Sequence, residues 1–128
     1  MFRNAIFAGF ALAVAALGAQ GASAQQQQDQ QTLVAGTVDC RFQVRPVDSA
    51  ICGTPVLAAM DLQMLTLFKV LEVLVKPETA TELAVGQETF LKARETCGGD
   101  ADCIGQITAN RIGELDRVLK DIASRGPY

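Results

Sequence analysis

The sequence predicts an all-α fold, a small domain in which a short helical turn precedes three long helices and two local disulfides staple the chain. Apolar residues recur at intervals of three and four along most of the chain after residue 54, which is the spacing of one helix face. Proline and glycine stand where these segments begin and end. The 128 residues include four cysteines, enough for two cross-links.

Residues 1–24 have the features of a secretory signal peptide. Arg3 supplies the positive start, the run from Ala5 to Leu17 is apolar, and the small residues at 22–24 offer a cleavage site. The alternative is a retained membrane anchor, but the apolar run is shorter than the roughly 20 residues of a spanning helix. We expect cleavage after Ala24, no membrane insertion afterwards, and a mature protein that is periplasmic or secreted.

The segment 25–37 begins with a Gln-rich tract and is predicted to be a disordered tether, because it has little apolar surface to bury. The folded domain is expected over 38–128. Without Arg3 the chain has ten basic and fourteen acidic side chains, a net charge of −4. This balance argues against binding to nucleic acid, which depends on basic neutralisation of phosphates. It suits a basic partner, although an acidic surface also serves solubility.

Turn and cap residues delimit the helical elements. The predicted elements are the turn at 46–52 and the helices at 54–76, 79–97 and 100–123. Pro46 takes the first helical position of the turn, and Thr54 is the expected N-cap of helix one. Thr79 and Glu82 have the spacing of a capping box for helix two. Asp100 is the expected N-cap of helix three.

The three long helices differ in how much of their surface is apolar. Helix one has a core face formed by Leu57, Met60, Met64, Phe68, Leu71 and Val75. Leu67, Val70 and Leu74 widen this face beyond half of the circumference, which is typical of a helix that packs between two neighbours or between one neighbour and another chain, as in a homodimer or a complex with another protein. Helix three has a cleaner stripe, formed by Ile104, Ile107, Ile112, Leu115, Val118, Leu119 and Ile122. Helix two is the weakest, since Gly86 costs about 1 kcal/mol relative to Ala.

The four cysteines are Cys40, Cys52, Cys97 and Cys103. An even number in an exported chain indicates two disulfides. The spacing does not match zinc motifs and the chain has no His, so no metal site is expected. Three pairings are possible, and we favour Cys40–Cys52 with Cys97–Cys103 because each joins neighbours in sequence. Closing loops of 13 and 7 residues contributes roughly 3 and roughly 2.4 kcal/mol.

Three charged residues interrupt the apolar stripes: Asp61, Arg94 and Arg111. A charge on a buried face is tolerated only with a partner and further hydrogen bonds. One acid and two arginines can satisfy one another, which predicts a structural charge network that fixes the register of the helices. The alternative is a binding pocket lined by arginine.

Catalysis finds little support, and we expect neither an enzyme nor a cofactor. Acid–base chemistry near neutral pH most often uses His, which the chain lacks. Cysteines engaged in disulfides provide no thiolate nucleophile. No phosphate-binding glycine-rich loop is recognisable. A carboxylate pair of the kind that glycosidases use is the remaining alternative.

The spacing of the cysteines and of the residues between them forms a recognisable pattern. It comprises Asp39-Cys40, Ala50-Ile51-Cys52, Pro55, Leu57, Met60-Asp61, Met64, Phe68, Gln87, Phe90-Leu91, Arg94, Cys97, Cys103-Ile104, Arg111-Ile112 and Leu115. From 39 to 119 the chain thereby resembles the lysozyme inhibitor LprI-type N-terminal domain, a family of bacterial envelope proteins. Phe68, Phe90 and Thr108 stand where that family usually has Tyr, Trp and Tyr. The resemblance implies a related fold, and it implies inhibition of lysozyme as the activity.

We therefore expect an exported envelope binding protein, with lysozyme as the partner that the resemblance implies. A mildly acidic domain suits a strongly basic target. The expected contact residues are Glu95, Asp100 and Asp102 on the second disulfide loop, although both aspartates also suit a helix-capping role. A second hypothesis is a structural or assembly module of the envelope that binds a protein, or itself, through the apolar face of helix one.

Overall fold

The computed structural model describes residues 34–125. The predicted signal peptide at 1–24 and the Gln-rich start of the predicted tether at 25–33 lie outside the described residues. The elements, in chain order, are β1 (Val34–Ala35), β2 (Val38–Asp39), α1 (Pro46–Gly53), α2 (Pro55–Leu74), α3 (Pro77–Glu95) and α4 (Ala101–Ser124). The prediction of a helical domain with one short and three long helices is confirmed.

Three of the helices begin with proline, at Pro46, Pro55 and Pro77. Proline suits this position because its φ is already helical and because the N–H that it lacks would have no partner in the first turn. Helix α4 begins differently, since the side chain of Asp100 accepts a hydrogen bond from the backbone N–H of Cys103 at 3.0 Å. The predicted cap at Asp100 is therefore confirmed.

The predicted start of the second long helix is wrong. Helix α3 begins at Pro77 rather than Thr79, its N-cap is Lys76, and no side chain caps it. The Thr79–Glu82 capping box is thus not formed, because Thr79 already lies within the first turn. The preceding helix ends at Leu74 instead of continuing to Lys76, which has an extended backbone with ψ 156°. A residue before proline is biased against the helical region, which separates the two helices at this point.

A short hairpin precedes the helices and was not predicted. β1 and β2 pair antiparallel, with Val34 opposite Asp39 and Ala35 opposite Val38. Residues 34–37, expected to be part of the tether, therefore belong to the ordered domain. Gly36 in the turn has φ +53°, and a Cβ at this position would lie 2.5 Å from the carbonyl oxygen of Asp61. Only glycine allows this close approach of the hairpin to α2.

The helices enclose two hydrophobic clusters, one toward each end of the bundle. The first cluster has a buried centre formed by Met64, Phe68, Leu71, Leu83, Phe90, Leu115 and Ile122. The second has a buried centre formed by Val38, Val47, Ile51, Leu57 and Ile104. The faces predicted for the first and third long helices supply most of these residues, as expected from their spacing.

Both predicted disulfides are present, Cys40–Cys52 and Cys97–Cys103, each with a Cα–Cα distance of 5.6 Å. The first joins the residue after β2 to the end of α1. The second closes the connection between α3 and α4. Cys40, Cys52 and Cys97 all pack against the second hydrophobic cluster, so the cross-links are concentrated at one end of the bundle.

Candidate functional site

A fully buried ion pair joins α2 to α3. The side chains of Asp61 and Arg94 are each 1% exposed, and Arg94 Nη1 lies 2.6 Å from Asp61 Oδ1. Such a pair is costly to desolvate and is tolerated where further hydrogen bonds satisfy the remaining polar atoms. The structure therefore brings together two of the three residues predicted to form a charge network.

The turn of the hairpin supplies the third member of this network, Thr37. Its backbone N–H donates to Asp61 Oδ2 at 2.6 Å, and its hydroxyl lies within 3.0 Å of both carboxylate oxygens. The same hydroxyl accepts a hydrogen bond from Arg94 Nη2 at 2.9 Å. Its proton is thus directed to the carboxylate and its lone pair to the guanidinium. These contacts satisfy the Asp61 carboxylate, the Thr37 hydroxyl and both terminal nitrogens of Arg94, while Arg94 Nε is buried without a hydrogen-bond partner among the described residues. The arrangement is that of a structural network that holds the hairpin against two helices.

Arg111 does not belong to this network, so the three-residue prediction was wrong for Arg111. The Arg111 side chain is buried and bonds instead to Gln87 Oε1, at 3.2 Å from Nε, and to the carbonyl oxygen of Leu83, at 2.9 Å from Nη2. Its Nη1 lies 3.0 Å from Glu114 Oε2. Arg111 therefore cross-links α4 to α3 through two neutral acceptors, and it pairs with the half-exposed Glu114 within α4. It makes no hydrogen bond or ion pair with Asp61 among the described residues.

Gly86 has a structural reason that the sequence did not reveal. A Cβ at this position would lie 2.8 Å from Nη1 of Arg111, which passes over α3 at this point. The glycine that weakens the helix by about 1 kcal/mol thus gives the guanidinium room to reach its acceptors. The position of the Arg111 guanidinium therefore depends on the absence of a side chain at Gly86.

The three acidic residues predicted to contact a partner lie in different environments. Glu95 forms an ion pair with Arg45, which precedes α1. Asp100 caps α4 through its contact with the Cys103 N–H. Asp102 lies exposed in the first turn of α4. Asp102 is therefore the acid of this set whose carboxylate has no hydrogen bond or ion pair within the described part of the chain.

Arg45 forms a second ionic cluster that the sequence analysis missed. Its side chain bonds to Asp48 at 2.6 Å and to Glu95, and its backbone N–H donates to Asp48 Oδ2 at 3.1 Å. Burial raises the pKa of Asp48, but the hydrogen bonds from Arg45 outweigh it and hold the pKa of this carboxyl below its ordinary value. The sequence feature that indicates this cluster is the spacing of Arg45 and Asp48, which stand at the N-cap and at the third position of α1. This is the spacing of a capping box. The cluster ties α1 to the end of α3.

The solvent side of α2 carries a continuous, uncharged surface. We call it the outer face and define it by six exposed residues: Val56, Ala59, Gln63, Thr66, Val70 and Val73. They alternate in steps of three and four, the spacing of the contact seam in a coiled coil. Val73 is 83% exposed and Val56 is 63% exposed. The core face of the same helix, with Leu57, Met64 and Leu71, lies on the opposite side, so the helix is apolar on both sides.

Residues 34–125 contain neither a metal-binding cluster nor a membrane-spanning helix. No group of three or more His, Cys, Asp or Glu side chains is placed to hold a metal ion in this range. Nor does any of the described helices combine the length and the apolar character needed to cross a lipid bilayer. Comparisons of the chain with known protein families, with curated proteins and with solved structures find no match.

Proposed function

We propose that this chain is an exported binding protein of the bacterial envelope and that it acts as an assembly module, pairing with a second copy through the outer face of α2. The observation that carries the proposal is the exposure of valines in a coiled-coil spacing on the side of α2 away from the core. Apolar residues on both sides of a helix are typical of a helix that packs against a second chain. Two disulfides are typical of proteins from oxidising compartments and support export.

The outer face is complementary to itself in an antiparallel arrangement. A two-fold axis between Gln63 and Thr66 brings Val56 opposite the partner's Val73 and Ala59 opposite the partner's Val70. The central layer then pairs the Gln63 amide with the partner's Thr66 hydroxyl, a hydrogen bond that favours this register over a shifted one. An isologous pairing of this kind closes the assembly at two chains. The outer face contains no charged residue, so no like charges oppose one another within the seam.

The expected affinity follows from the area available. Five large aliphatic side chains on α2 are 45–83% exposed: Val56, Leu62, Val70, Val73 and Leu74. Covering them contributes about 1 kcal/mol each, or about 10 kcal/mol for two chains. Association costs about 4–15 kcal/mol. At the lowest association cost about 6 kcal/mol remains, so we expect a reversible dimer with a Kd no tighter than about 10–100 µM.

Val73→Glu is expected to abolish the dimer, since it introduces a charge into the apolar end layer of the seam on both chains. The matched control is Val85→Glu, which changes a valine that is 60% exposed on α3. Sedimentation velocity from low to high micromolar concentration measures the weight-average mass of each protein. We expect a concentration-dependent rise in mass for the unmodified mature protein and for Val85→Glu, but not for Val73→Glu. A monomer at every concentration, or equal loss in both variants, contradicts the proposal.

Inhibition of lysozyme is the second candidate function. Its support is the resemblance described above, the acidic balance of the chain, and the exposure of Asp102 on a turn that the Cys97–Cys103 disulfide closes. Exposed acids on a covalently fixed turn suit a strongly basic target. The engagement of Glu95 with Arg45 and of Asp100 with the α4 backbone leaves Asp102 as the principal contact in this hypothesis.

Addition of the mature domain is expected to slow the clearing of a peptidoglycan suspension by lysozyme if this second function holds. Asp102→Asn is then expected to weaken the inhibition roughly fivefold, the scale of one exposed charge contact. Glu88→Gln, on the exposed side of α3, serves as the control. The rate of turbidity loss is the measurement. An unchanged rate at large molar excess of the domain removes lysozyme from consideration and leaves the assembly proposal intact.

A further inference from the structure

A cleft of about 660 Å³ lies at the end of the bundle opposite the disulfides. The connection between α2 and α3 borders it on one side and the last third of α4 on the other. Small-molecule sites usually have volumes of about 300–1,000 Å³. The inner wall is aliphatic and includes Leu74, Val118 and Ile122. This wall suits a hydrocarbon chain.

The rim of the cleft is basic. Lys76, Arg117 and Arg125 border it, together with one acid, Asp121. Asp121 is paired with Arg125 at 2.6 Å. Within residues 34–125 neither Lys76 nor Arg117 has an ion-pair partner. The rim therefore presents two uncompensated positive charges on a chain whose net charge is −3.

We propose that this cleft binds a monomeric anionic amphiphile, a single hydrocarbon chain with a carboxylate or phosphate head group. The hydrocarbon chain lies along Val118 and Ile122, where it loses contact with water. The head group accepts charge-assisted hydrogen bonds from Lys76 and Arg117 at the rim. None of the six residues that define the outer face of α2 lines the cleft, although Leu74 at the end of α2 borders it. Self-association and amphiphile binding are tested by substitutions of different residues, Val73 for the first and Lys76 with Arg117 for the second.

Titration calorimetry of the mature, disulfide-bonded protein with dodecanoate, below the concentration at which this probe forms micelles, tests the proposal. We expect one molecule bound per chain and weaker binding at higher salt, because the rim charges are exposed. Lys76→Glu combined with Arg117→Glu is expected to weaken binding by at least roughly tenfold, since two charge-assisted contacts become repulsive. Both side chains are exposed, so the helical circular dichroism signal is expected to persist. Lys92→Glu, toward the other end of α3, is the matched control and should bind as the unmodified protein does.

Several results overturn the inference. Equal binding of dodecanol, which has the same hydrocarbon chain and no charge, shows an apolar surface without head-group recognition. Equal loss of binding in Lys92→Glu shows a general charge effect. Binding to anionic phospholipid vesicles without binding to dodecanoate shows a membrane-surface interaction in place of a cleft for a monomer. An absence of heat change with dodecanoate, verified by unchanged amide chemical shifts, also rejects it.

Discussion

Asp61→Ala is expected to lower the free energy of unfolding by about 3–5 kcal/mol. The substitution leaves the Arg94 guanidinium charged and 1% exposed without its carboxylate partner. It also removes the acceptor for the backbone N–H and the hydroxyl of Thr37, so the hairpin loses its hydrogen bonds to α2. A loss of about 4 kcal/mol corresponds to a fall of roughly 15–30 °C in Tm for a domain of this size. Urea unfolding followed by circular dichroism measures the change.

Two further variants make this result interpretable. Asp102→Ala removes an exposed carboxylate and is expected to change the unfolding free energy by less than about 0.5 kcal/mol. Asp61→Leu combined with Arg94→Met removes both buried charges, and we expect it to recover much of the loss, because an apolar pair of similar volume tolerates burial. Unchanged stability in Asp61→Ala is the outcome that contradicts a buried structural pair.

Reduction of both disulfides is expected to unfold most of the protein at 37 °C. Chain-entropy estimates assign about 3 kcal/mol to Cys40–Cys52 and about 2.4 kcal/mol to Cys97–Cys103, whose partners are 12 and 6 residues apart. The sum is comparable to the whole net stability of a small domain, about 5–15 kcal/mol. The helical circular dichroism signal, recorded with and without a thiol reductant, reports the loss.

Removing the disulfides one at a time separates their contributions. Cys40→Ala with Cys52→Ala is expected to lower the urea midpoint more than Cys97→Ala with Cys103→Ala does, because the longer loop restricts the unfolded chain more. Both double variants keep one cross-link and are expected to remain folded at 25 °C. An unchanged urea midpoint after full reduction shows that packing alone holds the domain and rejects this account.

The sequence was sufficient for the helices and for their inner faces, because spacing reports directly which side of a helix is apolar. Leu57, Met64 and Leu71 lie in the core where the periodicity predicted them. The same pattern could not predict whether the outer face of α2 is exposed or packs against another helix. Val70 and Val73 are exposed, and apolar spacing alone does not distinguish a side that meets a helix of the same chain from a side that meets solvent.

The hydrogen-bond and ion-pair partners of the buried polar side chains were harder to predict than the buried faces of the helices. Asp61 and Arg94 were correctly paired, since an opposite charge is the strongest signal for a buried ion. The sequence predicted the same acid as the partner of Arg111, because it does not show which turn of α3 the Arg111 side chain reaches. In the structure this side chain reaches the turn that carries Gln87 and the Leu83 carbonyl oxygen, and both accept hydrogen bonds from it. Thr37 was missed for a different reason. Strands of two residues are too short for any periodicity, and the contact between Thr37 and Asp61 spans 24 residues.

The uneven placement of the cross-links gives the two ends of the bundle different mechanical properties. Disulfides hold the end that contains α1 and the α3–α4 connection, whereas at the cleft end residues 75–76 join α2 to α3 and noncovalent contacts alone hold the last turns of α4. We therefore expect the last turns of α4 to move more than its first turns. One wall of the cleft can then adjust to the shape of a bound molecule, while the disulfide end keeps the hairpin in register.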